Sequence, residues 1–460
     1  MTPSCILIHC MGIQARCFHP KGIAFGVTHW TIPFLLLSLF LRPTPIFAQD
    51  SPTSFTLKEL LQEAIAKNPE LAASRARWTA SKFRISQARS LEDPVIGADL
   101  EGIPRSTADL GKYTDIEYMI SQTIPFPGKL SLKGKIAEKE ARIVYEAYRS
   151  TEQRLTSDVK SAFEKLYLVD RSIEVLEHHK AIVEQFSKSA ETRYMSGVSS
   201  QQDILKAHVE LAKMTNEYLT LKQEREISIA HFNNLLNRPI ESPLEIVVEE
   251  GKRPFTTDWK AIQKLTLSNR PDLLAIEHEV QKQKSSTSLA KLGYLPDFFT
   301  RVEARQFASE SSLREYDTFL GISLPIWFWG KQRAEVREKE AMVSEAQEAY
   351  TMMKNRILFE VKEVLIHVET KERLVQLYQT AVLPQAEQAL HASQVGYETD
   401  KVDFLNLLDA DRSLREFEME YYSAVSEYHI ALADLERVVG VSLVRDAPLV
   451  KEADSIAKEK

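Results

Sequence analysis

The feature that most constrains this chain is a duplication. Lys67-Asn68-Pro69-Glu70-Leu71 returns as Asn269-Arg270-Pro271-Asp272-Leu273. Ile124-Pro125-Phe126-Pro127-Gly128-Lys129 returns as Leu324-Pro325-Ile326-Trp327-Phe328-Trp329-Gly330-Lys331. Tyr194 to Gly197, followed by Asp203 to Ala207, returns as Tyr397 to Asp400, followed by Asn406 to Ala410. Leu235-Leu236-Asn237 returns as Val438-Val439-Gly440. Four landmarks recur in one order at a spacing of 200–203 residues, which marks two copies of one structural unit. We assign residues 49–240 to the first repeat, 241–256 to a Pro- and acid-rich linker, 257–445 to the second repeat and 446–460 to a C-terminal tail.

Each copy reads as helices interrupted by two strands. It begins with a short helix, then a helix opened by a proline near Asn68 or Asn269. Proline is tolerated in a first helical turn and Asn caps it well. Alternation of apolar and charged residues follows: Ile96, Ala98 and Leu100 against Asp99 and Glu101, and Ile116, Tyr118 and Ile120 against Asp115 and Glu117. The second copy repeats it with Val302 and Ala304 against Arg301, Glu303 and Arg305, then Tyr316, Thr318, Leu320 and Ile322 against Asp317 and Ser323. Period-two alternation specifies strands with one apolar face. From Gly128 to Tyr194 there is no proline, and Leu155, Val159, Ala162, Leu166, Val169, Ile173 and Leu176 form a heptad seam. Ile357, Val361, Val364 and Val368 repeat that seam. Each long helix turns near Gly197 or Asp400 and a return helix follows; the second carries an apolar stripe from Leu414 to Leu435.

The first 48 residues carry Arg16, Lys21 and Arg42 but no Asp or Glu, then an apolar run from Thr31 to Leu41, then Ile46-Phe47-Ala48. That order predicts a secretory signal peptide over 1–48; a buried helix or an anchor is the alternative. The run is too short to span a bilayer. Cys5, Cys10 and Cys17 all lie within residues 1–48, so the processed chain is expected to lack thiols and disulfides. Net charge is -7, and no nucleic-acid partner is expected.

The strands then bear on assembly. In a soluble α+β domain their apolar faces would lie in a core. In a transmembrane β-barrel those faces meet lipid and the charged faces line the lumen. The runs have the length of tilted bilayer strands, and Phe126, Trp327, Phe328 and Trp329 sit where an interfacial aromatic belt belongs. Four strands cannot close a membrane barrel and open edges are not tolerated in lipid, so a membrane-spanning chain of this kind has to be an oligomer.

The duplicated plan of Asn-Pro helix, strand pair, Pro-Gly-Lys turn, long helix, Tyr-x-x-Gly turn and Asp-x-Leu-x-Ala return helix resembles the TolC-like outer-membrane efflux proteins. The turn at Ile124–Lys129 is most similar to the cation and heavy-metal branch of that family. The resemblance implies a mainly α fold with a small β part. Duplicated long-helix hairpins would build a periplasmic α-barrel, and four strands per chain would contribute to a trimeric twelve-stranded transmembrane β-barrel. It also implies a homotrimer in outer-membrane lipid, reaching into the periplasm, with a periplasmic adaptor and an inner-membrane pump of the RND type. The implied function is that of a passive exit duct of a tripartite efflux system, for metal cations or small toxic compounds. A soluble periplasmic coiled-coil scaffold or adaptor is the alternative.

The resemblance further implies a periplasmic gate near the two tip turns, at Tyr194 and Gly197 and at Asp400, where an adaptor would make contact. Tyr397 would hydrogen-bond Asp203; alternatively Tyr397 packs locally and Asp203 caps its helix. Asp409 would form a ring of three carboxylates at the aperture, or else lie on a solvated helix face. The family often has a basic residue where this chain has Val402, and an acidic one where it has Asn406. No catalytic set is visible. The Gly128 to Gly134 stretch misses phosphate-loop spacing, and Ile136 stands where a hydroxyl would bind magnesium. No zinc spacing occurs and no cofactor is expected. The rings of His178 and His179 are expected to diverge.

Overall fold

A computed structural model describes residues 54–103, 110–247, 258–310 and 312–443. The expected signal peptide, the tail at 446–460 and the linker beyond 247 lie outside these residues.

The first copy opens with β1 (Ser54–Phe55) and α1 (Leu57–Lys67), whose N-terminus is closed by a reciprocal capping box between Thr56 and Glu59. Next comes α2 (Pro69–Arg89). Asn68 Oδ1 accepts from the amides of Glu70 and Leu71 at 2.9 and 3.2 Å, while its Nδ2 donates to the Leu235 carbonyl at 3.0 Å. The Asn-Pro signal therefore both starts a helix and ties it to the end of the copy. β2 (Val95–Glu101) and β3 (Asp115–Ile124) follow, then α3 (Lys129–Met195) and α4 (Gln201–Leu235). β4 (Glu245–Ile246) pairs in parallel with β1, so the first residues of the expected linker are bound to the start of the chain's first helix pair.

The second copy repeats the order with α5 (Trp259–Asn269), α6 (Pro271–Leu292), β5 (Asp297–Phe307), β6 (Glu315–Ser323) and α7 (Lys331–Leu377). Arg270 replaces Asn68 at the cap and ties to the same place by another route, its guanidinium donating to the Arg437 carbonyl at 3.2 Å. After α7 a π-helical turn, Tyr378–Val382, leads into α8 (Leu383–Glu398), and α9 (Phe404–Val439) returns.

The heptad seam is buried as expected except at Val364, which is half-buried beside the buried Leu365. Leu155, Val159, Leu166 and Ile173 are buried, and so are their counterparts Ile357, Val361, Val368 and Val375, each 202 residues later. Beyond the π turn the spacing becomes 203: Val183 answers to Ala386 and Tyr194 to Tyr397. One extra residue in an α-helix rotates everything after it by about 100°. A π turn takes up one residue within the helix, and this one sits between Val375 and Ala386, where the spacing changes. Both copies thus keep the same face buried.

The sheet runs β2-β3-β5-β6, antiparallel throughout, with β2 and β6 at its edges. Its register sorts the side chains. Ile96 faces Ile120, Ile120 faces Val302, and Ala304 faces Tyr316, which puts the apolar residues of all four strands on one side. The other side carries Asp99, Glu117, Arg301, Glu303, Arg305 and Asp317; Arg305 pairs with Glu117 at 3.2 Å and Arg301 with Glu303 at 2.6 Å. The apolar side is bare: Ile96 is 77% exposed and Leu320 78%.

Candidate functional site

The two tips are built alike. After α3, Gly197 takes a left-handed φ of 77° and the Val198 amide donates back to Arg193 at 2.9 Å. After α8, Asp400 takes φ 60° and the Lys401 amide donates back to Gly396 at 2.8 Å. Both are helix ends closed through one left-handed residue. Asp is among the few side chains that tolerate this conformation, which is why it can stand where the first copy has Gly.

Asp400 also does what glycine cannot. Its carboxylate pairs with Arg193 of the other tip. The Arg193 guanidinium lies 4.9 Å from the Tyr397 ring centre, and Nη1 donates to the Glu398 carbonyl at 3.4 Å. One cation therefore holds the end of α8 to the end of α3. Tyr397 is buried, 5.4 Å from the Phe404 ring. Burial, and then the Asp203 carboxylate, push its phenol above the ordinary value, while Arg193 and Ser199 pull it the other way. Among the described residues its hydroxyl has no hydrogen-bond partner of normal geometry. Asp203 is thus near enough to be felt but is not bonded to Tyr397 within the chain. Nor does Asp203 cap α4; Ser200 does, accepting from the Gln202 amide at 3.0 Å.

The remaining expected positions divide clearly. Asn406 and Asp409 are both exposed, one turn apart on α9. Tyr194, Met195 and Val198 leave an apolar, solvent-facing tip. Val402 packs against Gly396, where a Cβ would lie 2.5 Å from the Val402 Cγ2. Trp327, Phe328 and Trp329 are exposed and meet edge to face, with ring centres 5.1–5.8 Å apart. Phe126 differs: it is half-buried and stacked on Phe298 at 6.4 Å.

Two further ties join the copies behind the tip, and sequence reasoning missed both. Buried Glu210 on α4 receives Arg412 at 2.7 Å and Arg415 at 3.3 Å from α9. Buried His179 on α3 meets Asp411 through Nδ1 at 2.8 Å and Glu418 through Nε2 at 3.2 Å. Burial works against charge on the imidazole, but the hydrogen bonds to Asp411 and Glu418 prevail and raise it to about 9. His178 is exposed where His179 is buried, and the two rings meet edge to face at 5.5 Å. A signal for Arg193 was present in the sequence: with no base at Val402, an acid in the tip turn at Asp400 asks for a cation elsewhere. Among the described residues no group of three or more His, Cys, Asp or Glu side chains is placed to hold a metal ion.

A family model described as outer membrane efflux protein matches residues 60–238 and 262–441, one stretch in each copy. The chain is 21% identical over 432 residues to the cobalt-zinc-cadmium resistance protein CzcC of Cupriavidus metallidurans, covering 92% of this chain and 99% of that protein. It is 22% identical over 449 residues to outer membrane protein TolC of Vibrio cholerae, again covering 92% and 99%. Its fold matches a crystal structure of CusC with a TM-score of 0.73 at 17% identity, over 85% of this chain and 93% of that one. It matches the outer membrane protein VceC of Vibrio cholerae with a TM-score of 0.69 at 18% identity, over 84% and 96%.

Proposed function

Because the chain belongs to the outer membrane efflux protein family, and is thus an outer-membrane efflux channel protein that extends into the periplasm, we propose that three copies form one exit duct of a tripartite system that expels metal cations. The observation that carries this reading is the four-stranded sheet with two unpaired edges and a bare apolar face. A soluble scaffold or adaptor would need that face in a core. In lipid the face is satisfied, but the edges are not, so β6 of one copy pairs with β2 of the next. Three copies give twelve strands. Trp327, Phe328 and Trp329 then lie at the membrane boundary.

The cation reading draws on the full-length match to a cobalt-zinc-cadmium resistance protein. Asp409, exposed on α9, would give three carboxylates at the aperture and favour cations. The closed tip is held by the pair of Arg193 and Asp400, with Tyr397 beneath the guanidinium and Asp203 beside its phenol. Arg193 takes the part left open by Val402. The apolar tip around Tyr194, Gly197 and Asp400 receives the periplasmic adaptor, which links the duct to an inner-membrane pump of the RND type.

Fractionation of the producing cell tests this. A detergent-requiring trimer in the outer membrane, whose loss sensitises the cell to cobalt, zinc or cadmium, is expected. A soluble monomer would overturn the duct, and unchanged tolerance of all three metals would overturn the cargo.

A further inference from the structure

The junction between the copies is fastened where the sheet meets the helices. There β3 pairs with β5 and continues into α3. Asp297, at the foot of β5, accepts from the Phe126 amide at 2.7 Å and from the Lys129 ammonium at 2.8 Å. Lys129 also donates to the Leu295 carbonyl at 3.3 Å, and its side chain is only 13% exposed. The strand pair is therefore pinned by a shielded, charge-assisted contact.

The duplication supplies the same parts again. Val95 faces Ser121 in the first hairpin, and Phe299 faces Gly321 in the second. Ser121 and Gly321 each stand four residues before a turn proline, Pro125 and Pro325. Val95 and Phe299 are thus equivalent, and so are Asp93 and Asp297, each two residues earlier. Lys129 and Lys331 each follow the turn glycine. Within one chain, however, Lys331 and Asp93 lie at the feet of β6 and β2, the outer strands of the sheet. Three strand spacings, about 14 Å, separate them. Both are exposed, and among the described residues neither side chain has an ion-pair or hydrogen-bond partner.

We infer that Lys331 of one copy and Asp93 of the next form an intersubunit ion pair that reproduces the contact between Lys129 and Asp297. The proposal rests on the self-assembly reading above and adds to it the residues that set the register of neighbouring copies. An antiparallel register one residue off would turn every side chain to the wrong face. A charged contact at the strand foot forms only in one alignment. It would also be shielded as Lys129 is, because the turn above it, with Trp327, Phe328 and Trp329, is two residues longer than the turn above Lys129.

A cross-link tests the pair in full-length protein with Cys5, Cys10 and Cys17 replaced by Ser. With Lys331→Cys and Asp93→Cys together, a short bis-maleimide should yield covalent dimers and trimers on a denaturing gel. Lys129→Cys with Asp297→Cys should leave monomers. Separately, Lys331→Glu should lower the temperature at which the trimer dissociates, and adding Asp93→Lys should restore it. A trimer that gives neither intersubunit links nor charge rescue overturns the ion pair and leaves self-assembly standing. A protein that stays monomeric in detergent overturns both.

Discussion

Alkaline pH should loosen the hold between the two copies, and His179 sets how much. This side chain has no accessible surface and bridges Asp411 and Glu418 across α3 and α9. Its imidazole titrates near 6.5 when free and about 9 in the fold. At about 1.4 kcal/mol per unit, that difference amounts to roughly 3 kcal/mol. The sign follows from the raised value. The contribution is complete below about pH 6.5, falls as pH rises, and is gone above about pH 9. Melting of the helical circular dichroism signal in detergent, from about pH 6 to 10, reads it. The wild type should lose stability across that window. His179→Gln does not titrate, so its profile should be flatter there and start lower, because Asp411 is left buried without its cation. An equal fall in both proteins would refute the assignment.

At the tip, Arg193→Ala should cost little stability, under about 1 kcal/mol, because Asp400 is largely exposed. It should nevertheless raise channel conductance in planar bilayers; unchanged conductance would remove Arg193 from the gate. Tyr397→Phe deletes a hydroxyl with no hydrogen-bond partner of normal geometry among the described residues. Wild-type stability with raised conductance would mean that the hydroxyl acts between copies in the closed duct, and wild-type conductance would discard the lock with Asp203. Asp409→Asn should weaken cation selectivity, read as a shift of reversal potential in asymmetric salt; no shift would leave Asp409 an ordinary solvated residue. Gly440→Ala should cost about 1–3 kcal/mol in thermal melts, because φ is 89° and the new Cβ would sit 2.9 Å from the Asn269 carbonyl oxygen. Gly197→Ala, with φ 77° and open space around it, should cost less; equal costs would show that crowding at Asn269 is not felt.

Much of the fold was legible because it rests on local pattern repeated twice. Alternation placed β2, β3, β5 and β6, the missing prolines placed α3, and the Asn-Pro and Arg-Pro signals placed α2 and α6. The two tip turns were legible because Tyr194 to Gly197 returns as Tyr397 to Asp400. What the sequence hid lies between the copies. His179 and Asp411 are 232 residues apart, and Glu210 and Arg412 are 202 apart. No periodicity within a helix reports which charge on another helix it will meet. The pairing of β1 with β4, two residues each, is too short to leave an alternation in the sequence. Phe126 shares its place at a strand end with the tryptophans; only the pairing of Ile124 with Phe298 brings it against an aromatic partner.

The π turn at Tyr378–Val382 bears on how such a chain ages after duplication. Two copies of a gene segment drift in length, and a long helix is an unforgiving place for it. A single codon gained there would turn every later side chain out of phase, spoiling the seam, the tip and the whole return helix at once. Here the difference of one residue stops within five. Everything beyond it, from Ala386 to Gly440, still answers to its partner in the first copy at a constant spacing. The bulge absorbs that difference, so the two copies can differ in side chains without having to agree in length.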